Sequence, residues 1–213
     1  MFRDRIEAGR KLAESLERYQ NSNTLVLALP RGGVPVGYEI ARALNAPLDT
    51  LVARKIGMPG HPEYAVGAIA PGLPGEGDVR IVDEAVAGVD GVMRAEREEL
   101  QRRMKTYQSG SYSHGIKPET VILVDDGVAT GKTAIVSLLS ARASYPKAKL
   151  IFAAPVAAPD SLEALKKYAD DVVCLEAPPE FMAVGDWYAS FPQLSDDEVI
   201  SYLEKANKNP SPR

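Results

Sequence analysis

The spacing of hydrophobic positions changes repeatedly along this chain, and each change marks an element. Between residues 2 and 17, Phe2, Ile6, Gly9, Ala13 and Leu16 recur at the interval of one helix face, which predicts an amphipathic helix. Thr24–Leu29 is a continuous apolar run stopped by Pro30, the pattern of a short buried strand. A helical pattern over Val34–Leu44 and a second apolar run, Leu48–Ala53, follow. From residue 57 to 77 glycine and proline dominate; within and after that stretch, Tyr64–Ala70 and Val79–Val82 fit a pair of antiparallel strands. Residues 91–107 read as a charged helix with Glu98–Arg102 and Glu99–Arg103 at i,i+4 spacing and a solvated face. Strand 121–125, helix 133–143, strand 149–154, helix 160–168 and strand 171–175 then alternate, which indicates a parallel sheet with helices on its faces. A last helix runs from about Asp196 to Ala206, and the tail 207–213 reads as flexible.

Composition narrows the class. A chain of 213 residues, 45% of them apolar, fits one α/β domain with a modest appendage, here residues 1–206. The net charge of −4 argues against a general nucleic-acid or membrane-surface binder. No run has the length of a membrane span, and the charged start Met-Phe-Arg-Asp-Arg lacks the apolar core of a signal peptide, so the expected compartment is the cytoplasm. Cys174 is the only cysteine and sits in the run Val172-Val173-Cys174-Leu175, where a buried structural thiol is expected.

The chemistry concentrates after the run Val121–Val124. Two adjacent carboxylates, Asp125 and Asp126, are followed by Gly127 and by Ala129-Thr130-Gly131-Lys132-Thr133 at the start of a helix. Carboxylates accept hydrogen bonds from vicinal hydroxyls, and a helix N-terminus binds phosphate. A phosphorylated sugar satisfies both halves. A Walker A loop is excluded by counting: Gly131-Lys132-Thr133 would need a glycine at residue 126, which is aspartate. A second constellation, Pro30-Arg31-Gly32-Gly33, also ends a strand and opens a helix. Its glycines admit an anion close to backbone N–H groups and Arg31 supplies a forked cation; alone, it also fits a tight turn with a surface arginine. Arg54 and Lys55 follow the next apolar run. In an open parallel sheet such strand ends face one crevice.

The acidic segment resembles the phosphoribosyl-pyrophosphate (PRPP) signature of type I phosphoribosyltransferases. The resemblance implies an open, twisted parallel sheet flanked by helices, with a small hood from the chain termini and an inserted lid. It makes Asp125 and Asp126 ligands of the ribose hydroxyls, and Ala129, Thr130, Gly131, Lys132 and Thr133 the cradle of the 5-phosphate. Arg31, Gly32 and Gly33 become the pyrophosphate loop, with a cis peptide bond expected between Pro30 and Arg31, and Arg54 and Lys55 add cations for the diphosphate. Residues 57–77 take the place of the lid, with His61 and Glu63 its titratable members. Residues 178–192 take the place of the hood, where Phe181 and Trp187 are candidates for stacking on a base or for a plain hydrophobic plug. With Leu-Pro-Arg-Gly-Gly-Val-Pro-Val and Val-Gly-Asp-Trp-Tyr motifs, the chain looks most like a bacterial group of phosphoribosyltransferase-like proteins.

The implied activity is Mg²⁺-dependent transfer of 5-phosphoribosyl from PRPP to a nitrogenous base, with release of pyrophosphate. Asp125, Asp126 and Arg31 would be the catalytic residues, the metal would be held by the carboxylates only through water, and the enzyme would be a homodimer. Ala129 departs from the aspartate that 6-oxopurine enzymes carry before Thr-Gly-Lys-Thr, which disfavours hypoxanthine or guanine. A regulatory module that binds PRPP or a nucleotide without turnover, and a sugar-phosphate hydrolase, are the alternatives.

Overall fold

Three apolar runs with no polar interruption, Thr24–Ala28 (β1), Thr120–Val124 (β6) and the inner part of Lys149–Val156 (β7), form strands buried on both faces. The structure, a computed structural model, describes residues 1–72, 78–82, 88–108 and 116–208. The remaining elements are α1 (Arg5–Glu14), α2 (Gly33–Leu44), β2 (Leu48–Thr50), β3 (Arg54–Met58), β4 (His61–Pro71), β5 (Asp78–Val82), α3 (Val89–Gln108), α4 (Lys132–Ser144), α5 (Pro159–Leu165), β8 (Asp171–Glu176) and α6 (Asp196–Asn207).

A five-stranded sheet has the order β2-β1-β6-β7-β8, with every pair parallel. Because side chains alternate along a strand, the sheet has two cores. Val26, Ala28, Ile122, Val124, Ile151 and Ala153 face helices α1, α2 and α6. Leu25, Leu27, Val121, Leu123, Leu150 and Phe152 face α4 on the other side. The order reverses direction between β1 and β6, so the crevice at their carboxyl ends is the topological switch point where such sheets take ligands. The α/β class and parallel architecture stand as expected. Among the described residues, no helix is long and apolar enough to cross a membrane.

Several boundaries differ. The first helix starts at Arg5, after an N-cap in which the Asp4 side chain accepts from the Glu7 N–H. Phe2 lies outside it and bridges to Tyr188. The buried face carries Arg5, Ala8, Gly9, Leu12 and Ala13, and Ile6 is only half-buried. The Gly- and Pro-rich residues 57–63, expected as loop, are partly strand: β3 and β4 form an antiparallel hairpin, and β5 pairs with β4 as the pattern of 64–70 and 79–82 indicated. Residues 73–77 of the expected lid, and 209–213 of the expected tail, lie outside the described residues. Helix α3 is not simply a solvated rod, since Met93, Leu100 and Tyr107 are buried. Arg103 pairs with Glu99 as expected, but Arg102 turns to Glu99 and Asp196 instead of Glu98.

Candidate functional site

The two chemical loops lie side by side because their strands are neighbours. Leu29 N–H donates to Val124 O at 2.8 Å, and Gly33 N–H to Leu29 O at 3.0 Å, so α2 begins against the end of β6. A methyl group on Gly33 would lie 2.6 Å from Val124 O, and one on Gly32 would fall inside the radius of Asp126 Oδ2. Glycine is required here for close approach: Gly32 has an ordinary helical φ of −62°. The peptide bond between Pro30 and Arg31 is cis, as the resemblance implied.

Both helices that open into this crevice start without a capping side chain. Gly32 precedes α2, and Gly131, at φ +72°, precedes α4. Only glycine adopts that positive φ freely, and α4 begins with no side chain capping its first turn. The positive ends of two helix dipoles thus flank the acidic pair, which is an anion-binding arrangement. Ala129 and Thr130 are exposed, while Gly131 is buried. The loop is anchored from behind: Val128 bridges to Ala157, and Ser161 Oγ donates to Ala129 O. Lys132 Nζ donates to Ala65 O at 2.9 Å, tying the start of α4 to β4.

The carboxylates are unlike. Burial, then the neighbouring Asp126 charge, pushes the Asp125 carboxyl well above the usual carboxylate range. Its Oδ1 accepts from the Asp126 N–H at 2.9 Å. Asp126 Oδ2 instead receives Arg5 Nε at 2.7 Å, with the two side chains only 10% and 13% exposed. The Asp126 carbonyl accepts from the Tyr188 hydroxyl at 2.6 Å.

The other expected site residues are placed as follows. Arg31 is partly exposed, with Nη1 4.0 Å from Asp196 Oδ1 at the start of α6. Arg54 and Lys55 do not end a strand of the parallel sheet; they open β3 of the second sheet, where Arg54 Nε is 2.7 Å from Glu96 Oε2. They line a cavity of about 350 Å³ with the hairpin turn and Val92. The strand ends early because β2 pairs with β1 only as far as Thr50. His61 is exposed beside the hairpin turn, and the side chain of Glu63 lies outside what is described. Cys174 is half-buried on the edge strand β8, its thiol pushed up to about 11 by burial. Phe181 and Trp187 pack with Val184 and Phe191 around Phe2, Ala8, Val156 and Tyr188. Among the described residues no group of three or more His, Cys, Asp or Glu side chains gathers as a direct metal site.

The profile of the phosphoribosyl transferase domain family matches residues 3–189, a span that includes every candidate above. The chain belongs to this family. It is 42% identical over 217 aligned positions to a Mycobacterium tuberculosis H37Rv protein named "Putative phosphoribosyl transferase Rv0571c", an alignment covering 98% of this chain and 48% of that protein. The chain therefore spans about half the length of the curated relatives it matches. Among solved structures, the protein TT1426 from Thermus thermophilus superposes with a TM-score of 0.78 at 37% identity, covering 96% of this chain and 98% of that one. Arg5, inside the matched span, and Asp196, beyond it, are site-adjacent residues that the motifs missed, and Tyr188 lies in the Val-Gly-Asp-Trp-Tyr motif without having been assigned a role. For Arg5 a signal existed: it is a cation on the apolar stripe shared with Ala8, Gly9 and Leu12.

Proposed function

We propose that this domain transfers a 5-phosphoribosyl group from PRPP to a ring nitrogen of a base. The supporting observation is the adjacency of the Asp125–Asp126 pair and the Arg31-Gly32-Gly33 loop at neighbouring strand ends, with two glycine-started helices opening beside them. In this reading Asp125 and Asp126 hold the ribose hydroxyls. Ala129 to Thr133 hold the 5-phosphate through backbone N–H groups and the Thr130 and Thr133 hydroxyls. The bond from C1 to the diphosphate oxygen breaks as the base nitrogen bonds to C1, and the electron pair leaves with pyrophosphate. Arg31 and the N–H group of Gly32 face that leaving group, while Gly33, whose N–H is held by Leu29 O, lets the loop lie close against β6; preorganised donors aimed at developing charge are the main resource for such a step. For Arg54 and Lys55 to join them, the Arg54–Glu96 pair must open or swing.

Magnesium, when bound, would neutralise the diphosphate. The hard carboxylate oxygens of Asp125 and Asp126 fit a cation held through water, which suits the reluctance of Mg²⁺ to lose its hydration shell. Phe181 and Trp187 stay in the proposal as an edge of the base site. Their packing in the hood cluster equally fits the plug. Ala129 favours an acceptor other than a 6-oxopurine. A homodimer in the cytoplasm completes the reading, on the resemblance and the charge pattern alone.

The test is Mg²⁺-dependent pyrophosphate release from PRPP across purine, pyrimidine and related acceptors, with Asp125→Asn/Asp126→Asn as control. Release that needs one acceptor and disappears in the double variant supports the transferase. Ribose phosphate appearing without a base adduct supports hydrolysis, and PRPP binding without release supports the regulatory module.

A further inference from the structure

A buried arginine is costly unless its donors are satisfied, so the positions that satisfy it reveal what it organises. Arg5 is 8% exposed. Its Nε meets Asp126 Oδ2 at 2.7 Å, and its Nη1 donates to Pro192 O at 2.8 Å. Its guanidinium carbon lies 3.8 Å from the centre of the Phe191 ring. Phe191 stacks in turn on Tyr188, ring centres 4.9 Å apart, and the Tyr188 hydroxyl holds the Asp126 carbonyl. Phe2, three residues before Arg5, donates its N–H to Trp187 O at 2.7 Å. One side chain from α1 thus closes a ring through the acidic loop and residues 187–192.

The consequence for Asp126 is directional. Oδ2 is occupied by Arg5 on one side and crowded by Gly32 on the other. The oxygen left for a ligand is Oδ1. A carboxylate on a short side chain, clamped at one oxygen by a planar forked cation, has little torsional freedom.

We infer that Arg5 is a positioning residue: it holds Asp126 through Oδ2 so that Oδ1 faces a sugar hydroxyl, and it couples that carboxylate to the 187–192 segment. The inference rests on the proposed sugar-phosphate site. Lysine at this position would keep the charge but lose the fork and the stacking on Phe191, because an ammonium is a point donor.

The experiment measures calorimetric affinities for ribose 5-phosphate and for inorganic phosphate in the wild type, Arg5→Met, Arg5→Lys, Asp126→Asn and the Arg5→Met/Asp126→Asn double variant. Arg5→Met is expected to weaken ribose 5-phosphate about tenfold, the equivalent of one charge-assisted contact, and to leave phosphate affinity unchanged. Arg5→Lys should recover part of the loss, and the double variant should bind no worse than Asp126→Asn, since both changes remove the same contact. If Arg5→Met fails to fold, Arg5→Lys and the double variant, which leaves no unpaired charge, still decide the matter. A folded variant that keeps wild-type ribose 5-phosphate affinity, or losses that add in the double variant, would overturn the positioning role alone. A wild type that binds neither ligand would overturn the sugar-phosphate site and the inference with it.

Discussion

Asp125 and Asp126 share a peptide bond but not an environment, and the difference has measurable effects at the level of single residues. Asp126 is anchored by Arg5, while Asp125 is desolvated and sits beside the Asp126 charge, which raises its proton affinity in the folded state. An acid whose folded value lies above its unfolded value, about 3.9, costs stability as pH rises through that window, because the folded state must give up a proton it holds better. Asp125→Asn removes this penalty. Its melting temperature should exceed that of the wild type at pH 7 and converge with it below about pH 4, while ribose 5-phosphate binding falls. A thermal melt series across pH checks the first, and a variant less stable than wild type at pH 7 would contradict the assigned environment. Gly32 supplies a second case. Because its φ is ordinary for any residue, Gly32→Ala tests space alone. The new methyl group must displace the Asp126 carboxylate, so a loss of roughly 1–3 kcal/mol in urea denaturation is expected, with weakened PRPP binding.

Among the elements, the junction of α3 and α6 shows what charge patterning along one helix cannot. Asp196, in the first turn of α6, accepts from the Tyr107 hydroxyl at 2.6 Å and pairs with Arg102 at 3.2 Å. The Tyr107 hydroxyl, followed by Arg102, holds the Asp196 carboxyl below its usual range. Arg102 and then Arg103 lower Glu99 to about 2. Acids lowered by folding stabilise above their unfolded values, and that contribution disappears as pH falls through the folded ones. Asp196→Asn should therefore lower the stability measured by urea denaturation by about 1–2 kcal/mol at pH 7, and the gap to wild type should narrow towards about pH 3. A gap independent of pH would show that packing, not charge, joins the helices. The same junction marks how far sequence reading reached. Strands β1, β6 and β7 were legible because burial on both faces leaves unbroken apolar runs, and the acidic and glycine loops were legible because they sit at the ends of those runs. The hairpin of β3 and β4 was hidden by the turn chemistry of Gly57, Pro59 and Gly60, which reads locally as loop although the flanking residues pair. Arg5, Tyr188 and Asp196 were not legible as site residues, because each acts through a partner far away in the chain, at Asp126 or Tyr107.

At the scale of the whole molecule, the small antiparallel sheet is not an independent body. Ile56, Val66 and Ile69 share a core with Ile122 and Val124, while Ala68 and Ala70 share the opposite core with Val121 and Leu123. Lys132 and Ser140 of α4 donate to carbonyls of β4, at Ala65 and Pro71. The segment 184–191 is tied in as well, since Gly127 of the acidic loop is covered by Val184, and Phe2 and Tyr188 pack on Val156 of β7. A structure with such shared cores should unfold in one step, because neither sheet keeps its buried surface if the other leaves. The lone tryptophan, Trp187, reports on the segment 184–191, and far-ultraviolet circular dichroism reports on the helices and sheets. Their thermal midpoints should coincide. With PRPP and Mg²⁺ at about a hundred times the dissociation constant, both should rise together by roughly 5–11 °C, from a linkage energy of about 2.7 kcal/mol. A Trp187 transition that precedes the other would show that the segment around Trp187 is a separate unit. A ligand shift confined to the far-ultraviolet signal would place the ligand away from residues 184–192.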